Sequence, residues 1–404
     1  MRPKCFRWIA LRHGARLEGA LPPPRTLSAA PPGYLYSEDD MTPKNEQDLA
    51  RMVAEADGPL RIMGGGTRPI GRATGAALSL AGMAGITLYE PGALTLVAKA
   101  GTPLAEVQAR LAAENQRLAF EPMDHRALLG TSGEPTIGGM VAANVSGPRR
   151  ITVGACRDFM LGVRFVDGAG NIIKNGGRVM KNVTGYDLVK LLCGSYGTLG
   201  VLTEVSLKVL PDVQTQATLV LDGLDDATAV AALAAAMSSP FEVTGAAHDP
   251  AAGRTMLRLE GFAASVAYRA QALAGVVAPF GSATVLDDKA ASAALWAAIR
   301  DVTAFAGQQG CVWRLSVKAS DAPALVAKAG ARAVVYDWAG GLVWLLADGD
   351  LRTRLGDFKG HATLIRGQAH VPVFQPESAP VAALSAGLRA KFDPRGIFNP
   401  GMIG

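Results

Sequence analysis

Gly64-Gly65-Gly66-Thr67-Arg68 follows directly on the apolar stretch Leu60-Arg61-Ile62-Met63. Three consecutive glycines leave backbone amides unshielded, and N–H groups converging in such a turn can cradle a phosphate, with Arg68 able to add charge. The same run also reads as a plain Gly-rich bend. It is neither a P-loop ending in Gly-Lys-Ser/Thr nor Gly-x-Gly-x-x-Gly opening a helix, since Pro69-Ile70-Gly71 comes next. A second small-residue run, Gly133 to Asn144 with Thr136-Ile137-Gly138-Gly139 at its centre, suits a backbone passing close to a flat ligand or to another helix. A third, Gly194-Ser195-Tyr196-Gly197-Thr198-Leu199-Gly200-Val201, places a turn before an alternating strand that continues to Leu210.

The elements that position these runs read as α+β. Thr42 as N-cap with Pro43 at the first helical position predicts a helix carrying Leu49, Met52 and Val53. Strands are expected at Leu60–Met63, around Leu78–Leu80, at Thr87–Tyr89 and at Thr95–Lys99, then a helix over Leu104–Leu111. Phe165-Val166-Asp167-Gly168-Ala169-Gly170 reads as a hairpin turn. From about 212 to 370 the chain alternates Ala-rich helices (Ala227–Met237, Ala290–Ile299) with strands (Thr255–Leu259, Trp313–Val317, Val343–Leu346). No repeat is visible in it.

Composition sets the limits. With 404 residues, 49% hydrophobic and 19% charged, the chain can bury large cores, and its formal charge of +5 rests on scattered basic residues that do not form a nucleic-acid footprint. Cys5, Cys156, Cys193 and Cys311 are too far apart for Cys-x-x-Cys motifs or an iron–sulfur ligand set, and a cytoplasmic, reducing setting is expected. No apolar run reaches the roughly 18 residues of a membrane span, so attachment at an inner membrane would come through partner subunits. Residues 1–40, with Pro22-Pro23-Pro24 and Pro31-Pro32, are expected to be unfolded, with translation beginning at Met41.

In order, the triple-Gly-Thr run, Pro-Thr-Ile-Gly-Gly-Met with Ala-Ala-Asn, Lys181-Asn182-Val183-Thr184-Gly185-Tyr186-Asp187-Leu188, and Gly-Ser-x-Gly-Thr-Leu-Gly-Val resemble the PCMH-type FAD-binding domain of the vanillyl-alcohol oxidase superfamily. The closing run Lys391-Phe392-Asp393-Pro394-Arg395-Gly396-Ile397-Phe398-Asn399-Pro400-Gly401 is similar to the segment that ends that family's chains. Ala119-Phe120-Glu121-Pro122, the stretch Ala142 to Arg150 and the short middle region more narrowly resemble the FAD-binding E-subunit family of bacterial glycolate oxidases. The resemblance implies a two-subdomain FAD-binding domain over 41–211, a short α+β cap over 212–370, and a segment 371–404 returning to the FAD domain.

It further implies noncovalent FAD, because Thr67 and Arg68 stand where some members carry an attaching His. Gly64, Gly65, Gly66, Thr67 and Arg68 would wrap the pyrophosphate. Thr136, Ile137, Gly138, Gly139 and Asn144 would run along the flavin side, and Gly197, Thr198, Gly200 and Val201 along the adenosine half or the other side of the pyrophosphate. Oxidation of a 2-hydroxy acid also needs a cation for the carboxylate and a base for the hydroxyl proton. Candidates for the catalytic side are weak. Arg149 and Arg150 read as a carboxylate clamp, a partner contact or a solvated turn, and Tyr186 as a flavin-proximal hydroxyl or a core tyrosine.

The His-x-Gly-Asp-Gly-Asn-x-His motif of related dehydrogenases is missing, His361 and His370 are poorly spaced for a shared metal, and His13, His125 and His248 read as loop or surface residues. The resemblance therefore implies a subunit that oxidises glycolate to glyoxylate together with a homologous FAD-containing catalytic subunit and an iron–sulfur subunit. The alternative is a stand-alone FAD-dependent 2-hydroxy-acid dehydrogenase of the D-lactate type. A peptidoglycan-precursor reductase fits the closing run less well.

Overall fold

The computed structural model describes residues 41–178, 185–367 and 371–403. Residues 1–40, Lys181-Asn182-Val183-Thr184 and His370, on which several expectations rest, lie outside them. The first helix is Glu46–Glu55, capped by Asn45, whose side chain accepts from the Asp48 amide. Thr42 is therefore not the N-cap: Asn45 is the nearer residue with a side-chain acceptor, and Thr42 instead leads in from Met41, which bridges to Leu78.

Strand Leu60–Met63 pairs in parallel with Ala76–Ser79, and the triple-Gly run leaves its C-terminal end. The tail covers the other edge of Leu60–Met63. Leu60 N donates to Ile397 O, Asn399 N donates to Leu60 O at 2.9 Å, and Ile62 N donates to the Asn399 side chain at 2.7 Å. Arg395 reaches the last carbonyls of the first helix, at Val53, Ala54 and Ala56, satisfying acceptors that a helix end leaves open.

A five-stranded antiparallel sheet follows, in the order Ile86–Glu90, Thr95–Lys99, Val201–Lys208, Met160–Val166, Ile172–Gly176. Its last pair is the expected hairpin, with Asp167 accepting from the Ala169 and Asn171 amides. The strand after the third glycine run ends at Lys208, and Leu210–Pro211 pairs separately with Gln116–Arg117.

The region 215–366 forms one eight-stranded antiparallel sheet. Thr215–Asp222, helix Asp226–Met237, Gly245–Asp249, Arg254–Gly261, helix Ala263–Val277 and Ala283–Leu286 make a βαββαβ unit. Val312–Val317, helix Ala322–Ala329, Ala333–Asp337, Leu342–Leu346, helix Leu351–Leu355 and Gly360–Arg366 make a second. The strand orders mirror each other across the Gly245–Asp249/Ala333–Asp337 seam, so a repeat is present where the sequence shows none. What repeats is strand order and pairing, which different side chains can support equally well.

The seam pairs His248 with Tyr336. His248 is fully buried, contrary to its loop or surface reading, with Nδ1 2.9 Å from Thr255 Oγ1, while the Tyr336 hydroxyl donates to Asp226 at 2.6 Å. It sits on a strand, and its apolar strand neighbours Ala246 and Ala247 are equally buried.

Strand alternation sorts this sheet into two faces. Trp313, Leu315, Val343 and Leu345 pack in the core that includes helix residues Leu325, Leu351 and Leu355. Val220, Met256, Val312, Leu342, Trp344 and Leu346 share a core with Phe120, Met140 and Val145 from the preceding part of the chain. Arg258, Glu260 and Arg314 fall on this second face.

Candidate functional site

A cleft of about 1130 Å³, measured out to its open mouth, runs over the triple-Gly turn. Gly64, Gly65, Gly66, Thr67 and Arg68 line it together with Thr136, Gly139, Met140, Ala142, Ala143, Met123, His125, Tyr196, Asn399 and Met402. The turn lies flat against the second glycine run: a Cβ on Gly65 would stand 1.5 Å from Glu134 O, and one on Gly133 would stand 1.7 Å from Gly65 O. Side chains at either position would push the two backbones apart.

Among the described residues, no backbone carbonyl accepts from the amides of Gly64 to Arg68. Arg68 Nε is buried with no partner, while Nη2 donates to the Tyr196 hydroxyl at 3.1 Å. Free amides around a buried guanidinium donor are what an anionic phosphate group satisfies. The residues present fit a phosphate-bearing cofactor.

Helix Ile137–Ala142 reconciles the two readings of the second run. Thr136 caps it, accepting from Gly139 N at 3.2 Å. Ile137 is in the core, and Gly138 packs so tightly on Ala100 that a Cβ would come within 2.6 Å of its side chain, whereas Gly139 and Met140 line the cleft. Asn144, at φ 49°, accepts from Arg157 N and does not line the cleft.

In the third run, Gly197, Thr198, Gly200 and Val201 are buried and do not line this cleft, and Gly200 sits against the Phe165 ring. These residues shape a turn: Tyr196 takes φ 55°, its carbonyl accepts from Asn399 Nδ2 at 2.7 Å, and its ring meets Phe374 edge-on. Tyr196, Asn399 and His125 were not picked out as site residues. Their contribution depends on contacts across most of the chain, although the Asp124-His125 position just ahead of the flavin-side run was a usable signal.

Arg149 and Arg150 have different roles despite being adjacent. Arg149 is buried and makes paired hydrogen bonds to Glu260 at 2.8 and 2.9 Å, with a further bond to Ala119 O. Arg258 holds Glu121 at 2.8 Å through both terminal nitrogens, and Arg117 adds a 2.8 Å bond to Glu260. The cluster joins Arg117, Glu121 and Arg149 to the eight-stranded sheet and removes Arg149 from the carboxylate-clamp reading. Burial by itself would raise the Glu121 and Glu260 pKa values, but the Arg258 and Arg149 charges outweigh it and hold both below the carboxylate range.

Arg150 instead packs on Trp338, 4.6 Å from the ring centroid, and Arg314 packs on the same ring at 5.0 Å. Trp338 donates from Nε1 to Gly147 O at 3.1 Å and takes φ 51°, with Ala339 at φ 55°. Burial, with the like charges of Arg150 and Arg68 acting against Tyr196, brings Arg314 down to about 10. Partial desolvation and the Arg314 and Arg150 charges lower His361. His125 in the cleft is held well below the imidazole range by burial and the charge of Arg68. Tyr186 is 87% exposed, so it is not a core tyrosine, and it does not line the cleft.

Burial lifts the Asp337 carboxyl to about 7, overcoming the 2.7 Å hydrogen bond from Trp338 N. Because the folded-state pKa lies above the unfolded value, the native state holds the extra proton, and stability falls as pH rises from about 4 to about 7. Asp337→Asn, whose amide oxygen can still accept from Trp338, is expected to melt higher than the parent at pH 8 and to lose this slope. Thermal melts from pH 5 to 8 check it, and an unchanged slope would refute the assignment.

The family described as FAD binding domain matches residues 40–176. Glycolate oxidase subunit GlcE of Escherichia coli strain K12 is 36% identical over 351 residues, which is 85% of this chain and 92% of that protein. Glycolate oxidase subunit GlcD of Bacillus subtilis strain 168 is 44% identical over 84 residues, 21% of this chain and 18% of that protein. A D-lactate dehydrogenase of Archaeoglobus fulgidus is 33% identical over 179 residues, 43% of this chain and 38% of that protein. Among solved structures, an alkyldihydroxyacetonephosphate synthase superposes with a TM-score of 0.66 at 16% identity, over 89% of this chain and 76% of that one, a likeness of fold.

Proposed function

The chain belongs to the family of the glycolate oxidase subunit GlcE, and from that premise we propose that it is the FAD-bearing subunit of a complex oxidising glycolate to glyoxylate. The wider relationship is to FAD-dependent oxidoreductases of 2-hydroxy acids. One observation carries the narrower reading: the match to GlcE runs through the FAD-binding domain and the mirrored sheet alike, whereas the D-lactate dehydrogenase match spans less than half of either chain. The partners proposed are a homologous FAD-containing subunit, as the GlcD match suggests, and an iron–sulfur subunit that passes electrons on. Among the described residues no helix is long and apolar enough to cross a membrane.

Bound FAD would supply a two-electron acceptor for the substrate C–H bond. The amides of Gly64 to Thr67 and the Arg68 guanidinium would hold its phosphates, while Thr136, Gly139 and Met140 form a wall beside it. Asn399 ties the tail to the Tyr196 turn, so the cleft is held from both ends of the chain. No His or Cys occupies positions 64–68, in keeping with noncovalent attachment there.

Steady-state glycolate oxidation with a dye acceptor tests the subunit reading. The isolated, FAD-loaded chain is expected to run at least about 100-fold slower than the complex purified from its host. A full rate from the isolated chain would replace this reading with a stand-alone dehydrogenase.

A further inference from the structure

The face of the eight-stranded sheet that looks toward the FAD-binding domain carries two arginines in different electrostatic states. Arg258 is neutralised by Glu121 through two 2.8 Å hydrogen bonds. Arg314 has no carboxylate within ion-pair distance among the described residues, and neither does Arg150, which shares the Trp338 ring with it. Asp337 is near enough for Arg314 to feel its charge, but its Oδ1 accepts from Trp338 N. Two half-buried guanidinium groups gathered on one indole repel each other and lose hydration, an arrangement stabilised when an anion bridges them.

The register extends the cluster. Arg314 pairs with Thr363 and Ser316 with His361, so on a strand of period two these four residues share one face. Tyr196 and Arg68 act on the charge of Arg314, and Arg314 in turn acts on His125; all three of these neighbours line the cleft, which Arg314 itself does not. The backbone at Trp338 and Ala339 is held in the left-handed region by non-glycine residues, a conformation that persists only where surrounding structure enforces it. Here the enforcing contacts include the Trp338–Gly147 hydrogen bond that joins this sheet to the segment before Arg150.

We propose that Arg314 and Arg150, organised by Trp338, form a binding site for the carboxylate of a small 2-hydroxy acid between the sheet face that looks toward the FAD-binding domain and the segment after Gly147, so that this chain itself takes up substrate or product. The inference rests on the proposed function for the class of acid. Planar guanidinium groups pair with carboxylate through parallel N–H donors, and loss of a charged hydrogen bond of this kind weakens binding by roughly 10- to 150-fold.

The test is calorimetric titration of the full, FAD-loaded chain with oxalate, a two-carbon acid that has no C–H bond to give up. Saturable binding is expected, weakened at least about 10-fold in Arg314→Gln and in Arg150→Gln with FAD per chain unchanged. Arg314→Lys, which keeps the charge but not the fork, should lie between, and it serves as the reporting variant if Arg314→Gln does not fold. Unchanged affinity in these variants, or absence of saturable oxalate binding to the parent, would overturn the proposal. Loss of FAD from the variants with oxalate affinity retained would overturn it too, by assigning the cations to the cofactor's phosphates. If the parent takes up no FAD the cofactor reading fails, and titration of the cofactor-free chain still decides the carboxylate site.

Discussion

A Gly65→Asp chain is expected to purify colourless, with FAD affinity reduced at least about 100-fold, equivalent to about 2.7 kcal/mol. Two effects act together. The new Cβ would point at Glu134 O, 1.5 Å from the ideal position, so the turn must shift, and the added negative charge lowers the positive potential of the amides and guanidinium that fit a phosphate. Gly65→Ala separates the two, since it keeps the steric demand and adds no charge.

Gly133→Ala is the more discriminating change. Gly133 does not line the cleft, yet its Cβ would lie 1.7 Å from Gly65 O and drive the triple-Gly turn out of place from behind. FAD content read from the visible spectrum of the purified proteins checks all three. Full occupancy in Gly133→Ala would show that the turn's contact with the second glycine run is dispensable. Circular dichroism checks that each variant has folded, since neither Gly65 nor Gly133 belongs to the cores of the mirrored sheet.

Glu260→Ala is expected to cost about 3–5 kcal/mol of stability, because it leaves two buried guanidinium groups, Arg149 and Arg258, to share the single carboxylate of Glu121. Surface pairs such as Arg110–Glu114 should cost within about 1 kcal/mol when broken. Replacing Arg149 and Glu260 together, by Met and Leu, should recover a large part of the loss, since the penalty belongs to the unpaired charge. Denaturant titration of the two single variants and the double variant measures this. A double variant no more stable than the worse single one would contradict it.

The pH dependence has a definite sign. Glu121 and Glu260 are held below their ordinary pKa, so their stabilisation is complete above about pH 4.5, the unfolded value, and declines as pH falls through that range. Acid should therefore loosen the join between the FAD-binding domain and the mirrored sheet, in the opposite sense to the Asp337 effect between about pH 4 and 7.

Local order was legible because it depends on neighbours in sequence. Strands Leu60–Met63 and Thr95–Lys99 have the bounds that their apolar runs predict; helix Asp226–Met237 starts one residue earlier than expected and ends where expected, and helix Lys289–Arg300 is longer by one residue at each end. Asn45 rather than Thr42 is the N-cap although Thr42-Pro43 is itself a start signal, because two capping residues three positions apart are equally good by type and only the backbone path decides between them. The mirrored halves were invisible, because their likeness lies in strand order.

The cofactor class was legible in the sequence through the resemblance of its ordered glycine runs to an FAD-binding family, whereas each run by itself reads equally as a bend or a tight packing site. The tertiary structure decided which of those residues face the cleft. Gly139 does and Gly138 does not, because adjacent residues on a helix point about 100° apart and one side of this helix is taken by Ala100. It also separated Arg149 from Arg150: one is neutralised by a glutamate 111 residues away, and the other is left with Arg314 on Trp338. Charge pairing is a matter of distance in space, and a dipeptide carries no record of which carboxylate the fold will bring to it.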